Sequence, residues 1–130
     1  MAWRSRRNKY NNRKLTVDGD VFDSRKEYCR YLELQLLEKS GVIRDLHRQV
    51  TFDLIPEARE PDRYGPRGGF YRGKVIERGV SYIADFTYYT VLPSGEEELV
   101  VEDCKGMRTD DYKIKRKLML FIHGIRIKET

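Results

Sequence analysis

Two carboxylates and an amine come to one spot in this chain if Tyr82-Ile-Ala-Asp-Phe-Thr-Tyr-Tyr89 and Leu99-Val-Val-Glu-Asp-Cys-Lys-Gly106 are neighbouring strands of a sheet. Successive strand residues point to opposite faces, so Val101, Asp103 and Lys105 share one face and Val100, Glu102 and Cys104 the other. Asp103, not Glu102, therefore accompanies Lys105. On the other strand Asp85 stands between Ala84 and Phe86, an apolar setting in which a lone carboxylate is costly to bury. Two carboxylates about 4 Å apart repel by about 4 kcal/mol at an effective dielectric near 20, so a cation is expected between Asp85 and Asp103. Oxygen donors suit Mg²⁺ or Mn²⁺, whereas His47 and His123, 76 residues apart with no third histidine, offer no zinc site. An ion held there polarises a phosphoryl oxygen and lowers the pKa of its water from about 15.7 towards neutrality. Lys105, a compact cation with mobile donors, can orient or help deprotonate that water and steady the charge of the transition state. The chemistry is phosphodiester hydrolysis.

The elements that must position these groups follow from local signals. Val80 to Val91 and Glu97 to Lys105 are rich in β-branched and aromatic residues and are joined by the hairpin turn Pro93-Ser94-Gly95. Phe70 to Glu77 is a further strand of the same kind, and Val50 to Ile55 alternates well enough for another before Pro56, with Val42 to Gln49 extended in part. Pro56 to Gly69 is expected as a long loop, in which Arg59, Arg63 and Arg67 leave DNA contact open. Ahead of the strands, Leu15 to Val17 and the turn Asp18-Gly19-Asp20 precede a helix over about 25–40. Ser24 and Glu27 form its capping box, Tyr28, Leu32, Gln35 and Leu36, with Tyr31 and Leu34 beside them, its broad face, and Gly41 its stop. Thr109 caps a second helix with Asp110 and Asp111 in its first turn, an inner face of Ile114, Leu118 and Phe121, and Gly124 at its end. Ile125 to Lys128 returns as a strand. This order predicts a mixed α/β (α+β) domain over residues 15–130, its sheet mostly antiparallel and flanked by helices.

Charge is distributed unevenly along the 130 residues. Residues 1–14 carry six Lys/Arg and no acids, 15–104 carry 12 against 18 Asp/Glu, and 105–130 carry eight against three, giving +6, −6 and +5. Basic ends around an acidic middle suit a phosphate-binding protein with a metal site, and equally two solvated ends. Residues 1–14 are expected as a flexible basic arm able to follow a DNA groove, with Arg4, Arg6 and Arg7 as its contacts. On the second helix only Lys113, Arg116 and Lys117 share a face by spacing, which makes them the preferred phosphate contacts; Lys115 is an active-site neighbour and Arg108 a further contact. Cys29 and Cys104 show neither metal-ligand nor disulfide spacing, and there is no apolar run long enough for a membrane helix, so a soluble protein of a reducing cytoplasm is expected. Gly68-Gly-Phe-Tyr-Arg-Gly-Lys-Val75 has the glycine and lysine spacing of a phosphate loop, but Val75 replaces the Mg²⁺-holding Ser/Thr and no helix is expected after it, which rules out a nucleotide site.

Asp85 followed by Asp103-Cys104-Lys105 resembles the PD-(D/E)XK nuclease superfamily. The fuller pattern is Phe22-x-Ser24-x-x-Glu27, Gln49-x-x-Phe52, Tyr82-x-x-Asp85-Phe86, Glu102-Asp103-x-Lys105-Gly106, Thr109 and Lys115-Arg116-Lys117, and it is similar to a small phage-encoded branch of that superfamily. Ala84 stands where the name-giving proline would be. The resemblance implies a restriction-endonuclease-like core and an Mg²⁺-dependent DNA endonuclease, with Asp85 and Asp103 as ligands, Lys105 catalytic and Glu27 completing the metal site. It also implies action on branched or recombining DNA in a bacterial host cell, with a homodimer if both strands are cut. A non-enzymatic nucleic-acid-binding module on this fold, or a nuclease acting on RNA, are the competing expectations.

Overall fold

The computed structural model describes residues 13–130. The basic arm, with Arg4, Arg6 and Arg7, lies up to residue 12 outside the described residues. A short hairpin opens the fold: β1 (Leu15–Val17) and β2 (Asp20–Phe22) join through Asp18 and Gly19, both at positive φ, as a tight two-residue turn requires. Helix α1 (Arg25–Lys39) starts at Ser24, whose hydroxyl accepts the Glu27 N–H at 3.1 Å. Strand β3 (Ile43–Ile55) is one long strand rather than two segments. It pairs with β8 (Val80–Val91), β8 with β9 (Glu97–Asp103), and β9 in parallel with β10 (Lys128–Glu129). The result is a mixed α+β fold around a four-stranded sheet ordered β10-β9-β8-β3. Helix α2 (Asp110–His123) runs from its Thr109 cap to Gly124, which takes the left-handed conformation at φ 67°. No helix among the described residues is long and apolar enough to cross a membrane.

The helices cover opposite faces of the sheet. Tyr112 and Met119 of α2 pack with Leu54, Tyr82, Ala84, Val101 and Ile127, whereas Leu34 of α1 packs with Ile43, Phe86 and Tyr88, joined by Tyr31 and Val100. Val100 and Val101 are adjacent and serve different clusters, as strand alternation requires. On β8 the alternation reverses: Tyr82 and Ala84 serve the α2 side, but Phe86 and Tyr88 serve the α1 side. On β3 Phe52 faces the α2 cluster, while Arg48 lies over the Phe22 and Tyr31 rings on the α1 side. Both strands switch faces at Gln49 and Asp85, and Gln49 has a φ of 52°.

Several expectations are corrected. Of the broad face expected on α1, Tyr31 and Leu34 do turn inwards, in a stripe with Glu27 and Leu37 at helical spacing, whereas Leu32 and Leu36 are exposed; Tyr31 stacks on Phe86. On α2 the inner residues are Tyr112 and Met119 with Leu118 beside them, and Ile114 and Phe121 face solvent. Pro56 to Gly69 is not a loop but half of a β-ribbon. In it β4 (Ala58–Arg59) pairs with β7 (Val75–Glu77), and β5 (Arg63–Tyr64) pairs with β6 (Phe70–Tyr71). The expected strand Phe70 to Glu77 is accordingly interrupted at Gly73, which packs so tightly on the Glu60 carbonyl that any Cβ would lie 1.6 Å from it. No helix follows Gly68–Val75, in keeping with the exclusion of a phosphate loop. The last strand is Lys128–Glu129 rather than Ile125 to Lys128, because Ile125 and Ile127 are taken up by the α2 core.

Candidate active site

The β8–β9 ladder ends at the pair Phe86 and Glu102. One residue beyond it lie Asp85 and Asp103, where the two strands part. Strand β9 stops at Asp103, not at Lys105, because the Cys104 N–H donates to the Asp85 carboxylate at 2.8 Å instead of to a ladder carbonyl. Lys105 follows the strand, yet its Nζ still reaches Asp103 Oδ1 at 3.4 Å and lies 4.5 Å from the centre of the Tyr112 ring. The three expected residues are thus brought together.

Glu27 belongs to the same corner. It is almost fully buried, its Oε2 accepts the Asp23 N–H at 3.0 Å, and its Oε1 accepts the Gln49 amide at 3.0 Å. The same amide lies 3.4 Å from Asp85 Oδ1, so the residue at the strand reversal bridges the two carboxylates. Glu27 both caps α1 and faces the site. One carboxylate oxygen each from Asp23, Glu27 and Asp85 lie within 4.8 Å of one another. Asp103 approaches from the α2 side, where the Tyr82 hydroxyl donates to its Oδ2. Asp23 and Arg48, the latter 3.7 Å from Glu27, were not singled out by sequence reasoning. Only the position of Asp23 directly before a capping serine could have pointed to it.

The electrostatics are those of crowded carboxylates. Burial, and after it the Asp103 charge, push the Asp85 carboxyl up to about 7. Burial likewise raises Glu27. Asp103 is 1% exposed, and its Oδ1 makes no hydrogen bond and has only the Lys105 ammonium at 3.4 Å to offset its charge. A buried carboxylate oxygen faced only by the Lys105 ammonium and a carboxyl driven towards its neutral form fit a divalent cation; the oxygens that converge are those of Asp23, Glu27 and Asp85, and Asp103 would add a hard donor from the α2 side. Lys115 is half-buried and lies three and four residues from Tyr112 and Met119 on α2. Lys113 and Lys117 are exposed. Arg108 and Arg116, expected as phosphate contacts, instead both pair with Glu129, which lies beside Asp103 across the β9–β10 ladder. Glu102 faces the other way, into an ion pair with Arg30. His47 and His123 are exposed, and a His123 ring nitrogen lies 2.7 Å from the Asp53 carbonyl.

A family profile described as "Protein of unknown function (DUF1064)" matches residues 7–126. The chain belongs to this family. The DUF1064 match takes in both helices down to Gly124 and all four site residues, Glu27, Asp85, Asp103 and Lys105. No curated protein and no solved structure matches the chain.

The Asp85 carboxyl makes a prediction that needs no metal. Its pKa of about 7 lies above the ordinary 3.8, so its neutral form favours the fold. That contribution is complete below about pH 4, declines as pH rises, and is gone above pH 7. In chelator the thermal midpoint is expected to fall by a few degrees between pH 5 and 7.5, and Asp85→Asn to flatten that fall. Differential scanning fluorimetry of both proteins checks this; parallel curves would mean that Asp85 is not perturbed.

Proposed function

We propose that this protein is a metal-dependent DNA endonuclease of the PD-(D/E)XK type, from the small phage-encoded branch of that superfamily, acting in the host cytoplasm. The observation that carries the reading is Asp103: a buried carboxylate whose Oδ1 makes no hydrogen bond and meets only the Lys105 amine at 3.4 Å, across a strand divergence from Asp85. Ordinary folding gives no reason to collect such groups. The reading takes Mg²⁺ or Mn²⁺ as cofactor, supplying Lewis-acid polarisation of the phosphate and an acidified water. In this reading the chain's own residues do the rest. The Tyr82 hydroxyl fixes the Asp103 carboxylate, and the Cys104 N–H fixes that of Asp85. Gln49 holds Glu27 and Asp85 at a set separation. Lys105 presents its amine beside Asp103 to orient the attacking water and to offset the charge that builds on the phosphate. Branched or recombining DNA as the preferred substrate and a homodimer as the acting unit belong to the same proposal.

The test is incubation of plasmid, branched DNA and matched RNA with Mg²⁺ or Mn²⁺, alongside Lys105→Ala. Metal-dependent cutting of DNA that falls by about 10²-fold or more in the variant is expected. No cutting by the wild type, or cutting unchanged in Lys105→Ala, would overturn the assignment, and cutting of RNA alone would move it to ribonucleases.

A further inference from the structure

Past Asp85, β8 leaves β9 and continues with β3 into the ribbon of residues 56–79, so the ribbon springs from the side of the sheet on which the candidate site opens. Its tip has a composition that packing does not explain. Tyr64, Phe70 and Tyr71 are 76%, 59% and 53% exposed. None belongs to either core cluster. Residues 63–74 carry Arg63, Arg67, Arg72 and Lys74 and no acid.

What orders the ribbon is its backbone. The Glu60 N–H donates to the Lys74 carbonyl at 2.8 Å, the Gly65 N–H to the Gly69 carbonyl at 2.7 Å, and the Gly73 N–H to the Asp62 carboxylate at 2.7 Å. The Arg59 guanidinium braces the Gly73 carbonyl at 2.9 Å. Pro56, Pro61 and Pro66, three of the chain's four prolines, restrict the strand in between. The rings are therefore presented, not buried. Tyr64 and Phe70 face each other across the ladder with their centroids 5.6 Å apart, forming an aromatic platform on one face. The opposite face holds Tyr71, with the Arg63 guanidinium 5.4 Å from its ring centre.

We propose that this tip binds unpaired nucleotides of a DNA substrate, with bases stacked on Tyr64, Phe70 and Tyr71 and the backbone held by Arg63, Arg67 and Arg72. Exposed rings interleaved with cations are what sequence-tolerant single-strand binding uses, because every unstacked base offers a π-face. Tyr, Phe and Arg also mark protein interfaces, but four cations with no acid among residues 63–74 give the tip a local positive charge that favours a polyanion. Tyr71 and Asp85 are 14 residues apart on nearly continuous chain, so at most about 50 Å separates them. One DNA molecule with a duplex arm at the site and an unpaired stretch at the tip can reach both. This inference rests on the nuclease reading and deepens it, giving a physical basis for preferring branched over linear DNA.

The test uses the full chain and a fluorescein-labelled oligothymidylate, with a blunt duplex of equal length as control, in fluorescence anisotropy at fixed salt. Tyr64→Ala/Phe70→Ala is expected to weaken oligothymidylate binding by about tenfold or more. Duplex binding and metal-dependent cutting of linear DNA are expected to stay within about twofold. Arg67→Glu, a substitution in an exposed turn, keeps the test valid should the double variant lose its fold; it should weaken the same binding and steepen no duplex defect. Unchanged oligothymidylate binding in both variants overturns the proposal. So does an equal loss on both probes, which would mean general charge attraction, or conversion of a wild-type dimer to monomer, which would make the tip a contact between copies. If the wild type cuts no DNA but these binding effects appear, the nuclease reading fails and the tip stands.

Discussion

Asp103→Asn is expected to abolish cleavage while leaving the metal-free protein as stable as the wild type, or more stable. The two outcomes share one cause. Asp103 is buried beside a second carboxylate, and its charge is one of the forces that raise the Asp85 carboxyl. Removing that charge relieves a repulsion. The asparagine oxygen can still accept from Tyr82, the new amide can donate to Asp85, and Lys105, which is partly exposed, tolerates the loss of its partner. Cation binding loses a hard, charged donor, so the cleavage rate on plasmid should fall by about 10³-fold or more, roughly 4 kcal/mol of transition-state stabilisation. The thermal midpoint in chelator should match or exceed that of the wild type, and its rise on adding Mg²⁺ should vanish. Cleavage retained within tenfold would remove Asp103 from the metal-binding role.

The opposite pattern is expected at the residue next to it. Glu102 is fully buried, accepts from both Arg30 and the Tyr88 hydroxyl, the latter at 2.7 Å, and points away from the site. Burial alone would raise its carboxyl, but Arg30 and Tyr88 outweigh it and hold the group below its ordinary value, so it is charged at neutral pH. Arg30→Ala leaves that charge with the Tyr88 hydroxyl and the Lys128 charge but without its ion-pair partner, at a cost of about 3–5 kcal/mol. In a chain of this length the midpoint should drop by roughly 10–20 °C. Arg30→Met/Glu102→Leu should recover much of it, because an apolar pair needs no compensation. Cleavage per folded molecule should stay near wild type at a temperature where the variant is folded. A catalytic defect without a stability defect would show that Glu102 had been assigned the wrong role.

Strand periodicity was sufficient to separate Asp103 from Glu102, because each is one residue in a run that alternates up to the point where the ladder ends. It is silent on the face switch at Asp85. The reversal there depends on Gln49 adopting a positive φ, and glutamine, unlike glycine or asparagine, does not advertise that conformation. The broad face that spacing gives α1 includes Tyr31 and Leu34, which do turn inwards, but also Leu32 and Leu36, because an apolar stripe is the usual mark of an inner face. Its true inner stripe begins with Glu27, a charged residue counted as polar by any such reading, and the displacement of the apolar face was itself a sign of the site. The first half of the ribbon, Pro56 to Gly69, reads as a loop because its paired segments are only two residues each among prolines and glycines, held by backbone bonds and bracing, whereas its second half, Phe70 to Glu77, is legible as a strand. Asp23 was missed because a residue preceding an N-cap carries no pattern of its own.

The reversal at Gln49 and Asp85 also divides the chain into segments that respond differently to a change of length. Between Tyr82 and Tyr88 one residue gained or lost would throw the side chains on one side of the switch onto the wrong face, emptying one core and exposing another. Position by position, that stretch has to be kept at constant length. The ribbon joins β3 and β8 beyond their shared ladder and contributes to neither core, so residues can be added or removed there in cross-strand pairs at little thermodynamic cost. The same sheet thus holds a segment whose length is invariant, carrying Asp85, directly continuous with one whose reach is free to be adjusted.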